Sequence, residues 1–157
     1  MSLSIGCDEI AIGHKNEIKK FLLDQQDVNI ESIADFGVDS SDPVDYPDIA
    51  EQVALSVANG ESDRGILICG TGIGMAIVAN KIPGIRAALV YDPYSAERAQ
   101  KSNNAQIITL GSLTIGTETA KYLVKIWLNS SFVDGRSTRK VEKINKIDAK
   151  FHKKNSS

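Results

Sequence analysis

Short apolar runs alternate with amphipathic stretches along the chain, and the alternation predicts strands and helices in turn. Leu3 to Cys7 reads as a strand, and Ile10, Ile18, Phe21 and Leu22 suggest a helix after it. Ile33 to Gly37 is a second strand, followed by a polar loop from Val38 to Val44. Asp45-Tyr46-Pro47 then opens a helix, with Pro47 suited to the first turn and Ile49, Val53 and Val57 on one face. Gly65 to Cys69 is a buried strand, and Ala76 to Lys81 is helix-like. Ile85 to Val90, apolar except at Arg86, fits a buried parallel strand. Pro93 opens a helix ending near Ser102-Asn103-Asn104, Gln106 to Gly111 is a fifth strand, and Thr114 to Leu128 is amphipathic. After a turn at Asp134-Gly135, Val141, Ile144, Ile147 and Phe151 mark a last helix.

Strands alternating with helices predict a doubly wound, Rossmann-like α/β domain with a five-stranded parallel sheet covered on both faces. Ligands bind such sheets at the carboxyl ends of the strands, which puts Asp8, Cys69 to Gly74, Tyr91-Asp92 and Gly111 on one edge. The last helix carries apolar residues at helical spacing that need a second surface, so a homodimer is expected. One domain is expected over residues 1–152, and the Lys- and Ser-rich residues 153–157 read as a disordered tail.

Composition narrows the class. The chain has 157 residues, 42% of them hydrophobic, which is enough for one buried core. Two cysteines, no long apolar segment and no basic stretch at the start predict a soluble protein of a reducing compartment, the cytoplasm. A formal net charge of -2 offers no field to draw nucleic acid or an anionic membrane. With two histidines, His14 and His152, and no Cys/His cluster, no metal site is expected. No serine sits in a hydrolase triad pattern.

The informative chemistry is Cys69-Gly70-Thr71-Gly72-Ile73-Gly74, a strand end running through a glycine-rich turn into a helix. The first amides of a helix have no partner inside it and carry the positive end of its dipole. Glycines at 70, 72 and 74 let several amides converge on one anion, and Cys69 stands where a thiolate is favoured. The dinucleotide fingerprint needs G-x-G-x-x-G in the first βα unit; here the spacing is G-x-G-x-G and later, so NAD is not expected. Cys7 precedes no such turn and reads as a buried structural thiol. Arg86 within an apolar strand needs a partner, and a structural ion pair is expected.

Gly6-Cys7-Asp8, Asp45-Tyr46-Pro47, Ile68 to Gly74, Asn80-Lys81 with Gly84 to Ala87, and Gly135-Arg136 follow one another in an order and spacing that resembles the type B ribose-5-phosphate isomerase family. That family also includes galactose-6-phosphate isomerase subunits, and the likeness spans nearly the whole chain. It implies a doubly wound fold, a homodimer or dimers paired into a tetramer, and active sites shared between subunits. It also implies interconversion of an aldose phosphate and its ketose, ribose 5-phosphate and ribulose 5-phosphate in the pentose phosphate pathway, with no cofactor. By position, Cys69 matches the base that moves a proton between C1 and C2. Gly70, Thr71, Gly72, Ile73 and Gly74 match the turn that holds the enediolate oxygens, with Thr71 part of the catalytic set. Asp8 matches a contact to a substrate hydroxyl, Asn103 a substrate contact, and Arg136 a phosphate ligand from the partner subunit.

Four positions depart from that pattern. Glu9 and Ser102 stand where ribose-specific members have histidines, the second being the one credited with opening the sugar ring. Leu113 replaces an arginine, and Lys140 a second arginine, with Arg139 beside it able to compensate. His14, about one helical turn past Glu9, is a candidate replacement imidazole. A tetrose phosphate, which needs no enzymatic ring opening, would tolerate Ser102, so a tetrose 4-phosphate or galactose 6-phosphate is the alternative substrate. A non-catalytic sugar-phosphate-binding relative is the alternative class.

Overall fold

The computed structural model describes residues 1–25 and 27–152; the predicted tail lies outside the described residues. In chain order the strands are β1 Ser2–Cys7, β2 Ser32–Asp35, β3 Arg64–Cys69, β4 Ala87–Leu89 and β5 Ile107–Gly111. The helices are α1 Ile12–Asp24, α2 Tyr46–Ala58, α3 Ile73–Ala79, α4 Pro93–Lys101, α5 Thr117–Leu128 and α6 Thr138–His152. All five strands run parallel in the order β2-β1-β3-β5-β4. The chain therefore winds outward from β1 in one direction and from β3 in the other, and the crevice between their carboxyl ends is the switch point where ligands of such sheets bind.

The central strands β1, β3 and β5 are buried on both faces, while the edge strands β2 and β4 are only partly covered. Leu3, Ile5, Ile66, Ile68, Ile108 and Leu110 pack with α1, α4 and α5 on one face. Leu67, Cys69 and Ile107 pack with α2 and α3 on the other. Trp127 is fully buried, donates from its indole nitrogen to the Ala105 carbonyl at 3.1 Å, and lies 5.1 Å beneath the Arg64 guanidinium. No helix among the described residues is long and apolar enough to cross a membrane.

Several boundaries differ from the sequence expectation, β2 ending at Asp35 rather than Gly37 among them. α3 starts at Ile73 rather than Ala76, because Gly72 at φ 76° turns the backbone directly into the helix. β4 keeps only Ala87 to Leu89 in the ladder. Thr114 is spent on a turn, donating to the Gly111 carbonyl at 3.0 Å, so α5 begins after Gly116. Arg86 is held without a carboxylate: its guanidinium donates to the Asn103, Asn104 and Gly84 carbonyls and to the Asn145 side chain, in place of the expected ion pair.

A cluster the apolar pattern hides lies at the carboxyl end of β1. Lys15, Ile18 and Leu22 form the buried stripe of α1, and Lys15 is 0% exposed. Its ammonium donates to Asp35 at 3.1 Å and Asp39 at 2.7 Å, while Lys19 pairs with the other Asp35 oxygen. Asp35 also accepts the Gly37 amide at 2.8 Å, so the network fastens the chain as it leaves β2.

Candidate active site

β1 and β3 are neighbours in register, with Cys7 opposite Ile68, so Asp8 and Cys69 end adjacent strands at the switch point. Cys69 is 5% exposed, and its sulfur accepts the Gly72 amide at 3.1 Å. That donor contact is stronger to a thiolate than to a thiol. The turn is braced from β5. The buried Thr109 hydroxyl donates to the Gly72 carbonyl at 2.8 Å, the Ser112 amide to the Cys69 carbonyl at 2.8 Å, and the Leu113 amide to the Gly70 carbonyl at 3.0 Å. The Thr71 hydroxyl oxygen accepts the Ile73 amide at 3.3 Å, which leaves its hydrogen free to donate outward. There is no space behind the turn: a Cβ on Gly72 would fall 2.8 Å from Leu89 and 2.9 Å from the Leu110 backbone. Gly74 is overlain by the Tyr46 ring and Gly70 by the Leu113 side chain.

Asp8 is buried and its Oδ1 has no partner among the described residues. Burial pushes its carboxyl up, and the neighbouring Glu9 charge adds to this against backbone amides that pull it down. A buried carboxylate oxygen without a partner at the carboxyl end of a strand calls for a donor, and a ligand hydroxyl would supply one. Glu9 itself accepts the Val44 amide at 3.3 Å, tying the loop before α2 to the 3-10 turn Glu9–Ala11. Cys7 is fully buried, its thiol pushed up to about 11 by desolvation, so it stays protonated at neutral pH, as a structural thiol should. His14 donates from Nε2 to the Ile115 carbonyl at 2.9 Å, which engages the imidazole in joining α1 to the loop before α5.

The remaining expected site residues are not brought to Cys69 within one chain. α4 runs back from the carboxyl edge, so Ser102 and Asn103 close it at the opposite edge, where the Asn103 carbonyl meets Arg86 ahead of β4. Asn103 Nδ2 is turned to the Arg98 carbonyl at 3.2 Å. Arg136, Arg139 and Lys140 are exposed at the start of α6 and take part in no side-chain hydrogen bond or ion pair among the described residues. Sequence reasoning missed Thr109, although a threonine inside Ile107 to Leu110 is a visible anomaly in a doubly buried strand. It singles out Tyr46, in a segment that could contact substrate, and Leu113, but not their places over the turn, because no local pattern marks contacts between distant segments.

Fold and site together define a doubly wound α/β protein with a thiol at the base of an amide-lined turn. The chain belongs to the Ribose/Galactose Isomerase family, whose match spans residues 3–144. It is 54% identical to the Listeria innocua protein named Ribose-5-P isomerase B, over 96% of this chain and 99% of that protein. It is 49% identical to D-erythrulose-4-phosphate isomerase of Pectobacterium atrosepticum, over 92% and 93% of the two. Among solved structures, Clostridium thermocellum ribose-5-phosphate isomerase B superposes with a TM-score of 0.91 at 41% identity, covering 96% of this chain and 99% of that one.

Proposed function

We propose that the protein interconverts an aldose phosphate and its ketose phosphate through an enediolate, with ribose 5-phosphate and ribulose 5-phosphate as the pair. The observation that carries this reading is Cys69 seated on the Gly72 amide at the end of β3, with the unpartnered oxygen of Asp8 at the end of the neighbouring β1. The Cys69 thiolate takes the proton from the carbon next to the carbonyl, and the electron pair moves onto oxygen. Amides of Gly70 to Gly74 and the Thr71 hydroxyl receive the developing charge in a site fixed before reaction. The hydroxyl proton passes between the two enediolate oxygens and the thiol returns its proton to the neighbouring carbon, so one base serves both proton transfers at carbon. Asp8 accepts a substrate hydroxyl and holds the sugar in register with the sulfur.

Arg136, with Lys140 or Arg139, supplies the phosphate clamp from a second subunit, and Ser102 and Asn103 of the partner subunit complete the substrate site. A homodimer is supported by the distance of these residues from Cys69 within one chain and by the exposed Ile144, Ile147 and Phe151 on α6. The cytoplasm is the proposed location, where free Cys7 and Cys69 remain reduced.

Ser102 and Leu113 favour a second reading, in which the sugar is a tetrose 4-phosphate that requires no ring opening. The likeness to D-erythrulose-4-phosphate isomerase supports it. Proton–deuterium exchange by NMR in heavy water, over four-, five- and six-carbon aldose and ketose phosphates, separates the readings. Exchange at C1 or C2 of ribose 5-phosphate is expected. Exchange confined to the four-carbon sugars would replace the first reading with the second, and silence across the panel would refute catalysis in favour of a binding role.

A further inference from the structure

The segment from Asn80 to Ala87, between α3 and β4, is fixed by two side-chain amides. Asn80 donates to the Ala87 carbonyl at 2.8 Å and accepts the Ala87 amide at 2.9 Å. Gln106 accepts the Arg86 amide and donates to the Gly84 carbonyl, both at 2.9 Å. The half-buried Arg86 guanidinium therefore reaches out from a backbone held on both sides.

What it reaches lies on two other elements. Its Nε donates to the Asn103 carbonyl at 3.2 Å and the Asn104 carbonyl at 3.0 Å, at the corner that ends α4. Asn104 sits at φ 47° and its side chain accepts from Gln100 at 3.1 Å, so that corner has little freedom of its own. Nη1 of the same guanidinium donates to Asn145 Oδ1 at 2.9 Å on α6. One turn later Asp148 accepts the Gly84 amide at 2.7 Å, which ties α6 to the same segment again. Asn145 lies about two turns beyond Arg139 on that helix. One side chain thus fixes the spacing between the Ser102-Asn103 corner and the helix that carries Arg139 and Lys140. A planar fork suits this task, because an ammonium at the same position presents a single point of charge to arms that diverge.

Those two elements are the ones read above as completing the site of a second subunit, and neither meets Cys69 of its own chain. We propose that Arg86 is a positioning residue that acts in trans, setting the distance between Asn103 and the phosphate clamp of α6 for the partner subunit's site. The inference rests on the shared-site reading. A sugar phosphate spans both elements, so an error in their spacing reaches the reacting carbons as misalignment against the sulfur.

The test is complementation between impaired subunits, assayed with ribose 5-phosphate. Arg86→Gln alone is expected to lower kcat/KM about a hundred-fold, the scale for a small misplacement of substrate. Arg86→Lys is expected to recover little of this. Co-expressed in equal amounts with Cys69→Ala, Arg86→Gln is expected to regain about a quarter of the parental activity, because a subunit bringing Cys69 then meets an intact Arg86 across the interface in that share of sites. Cys69→Ala with Arg136→Ala is the control for shared sites and is expected to regain as much. Recovery in the control without recovery in the Arg86→Gln mixture would overturn the proposal, as would parental kinetics in folded Arg86→Gln. No recovery in either mixture would refute shared sites, and the role in trans falls with them. Asn145→Ala, at an exposed position, cuts only the α6 arm and decides the matter if Arg86→Gln does not fold. It is expected to raise KM about five-fold with kcat little changed, the loss of one hydrogen bond, and a parental KM would overturn the proposal.

Discussion

The Gly72 amide donates to the Cys69 sulfur at 3.1 Å, so the turn that seats the proposed base also carries the amides proposed to meet the oxyanion. Cys69→Ala removes the base and leaves the amides. It is expected to lower kcat about a thousand-fold with a small change in KM, the share of a general base. Stopped or quenched isomerisation assays together with substrate titration by calorimetry check this; retained turnover would mean that another group carries the proton.

Thr109 is the brace behind that turn. Its buried hydroxyl donates to the Gly72 carbonyl at 2.8 Å, and Thr109→Val keeps the shape while leaving that carbonyl to the Ala76 amide alone. A stability loss of about 1 kcal/mol is expected in urea denaturation, the net contribution of one buried hydrogen bond. Activity is expected to fall through kcat more than KM, because the amides lose their aim, and Thr109→Ser is expected to recover most of both.

How far the sequence disclosed this depends on the range of the signal. Period and punctuation identify the strands, most plainly β3 and β5, whose residues are nearly all apolar and buried. The strand-end rule places Asp8 and Cys69 together, and their adjacency follows once β1 and β3 are neighbours. Lys15 was not legible: it occupies an apolar position of α1, and only the Asp35 and Asp39 carboxylates brought in from the next strand and loop make its burial possible. Ser102, Asn103 and Arg136 are legible as residues by resemblance, yet one chain leaves them remote from Cys69, since α4 carries the first two to the opposite edge.

Asp8 should show a trade between stability and function. Its carboxyl is pushed up by burial, so holding it charged costs the fold free energy above the pKa of the unfolded chain, and that cost vanishes in acid. Asp8→Asn removes the charge at similar volume. A higher melting temperature at neutral pH is expected with no gain in acid, together with a lower kcat/KM because the amide cannot replace a carboxylate acceptor. A variant that melts lower at neutral pH would show that Asp8 is paired rather than held open for substrate.

The Lys15 cluster sets the pH limits of the fold at the end of β2. Burial raises the Asp35 carboxyl, but the hydrogen bonds from Lys19, the Gly37 amide and Lys15 outweigh it, and the net shift is down from 3.8. A lowered carboxyl contributes stability above its unfolded value and loses it as pH falls through the folded one. Burial likewise lowers Lys15, but Asp39 and Asp35 outweigh it and hold the ammonium above its ordinary 10.5. That contribution is complete below 10.5 and disappears as pH rises through the folded value. Lys15→Met keeps the length and removes the charge, leaving Asp35 to Lys19 and Asp39 to water. The expected loss is about 3 kcal/mol at neutral pH, the scale for breaking a buried pair. The difference from the parent should narrow in acid as pH falls through the folded value of Asp35, which lies below 3.8. Urea midpoints across that range decide it: a difference independent of pH would assign the loss to packing of the Lys15 stem rather than to its charge.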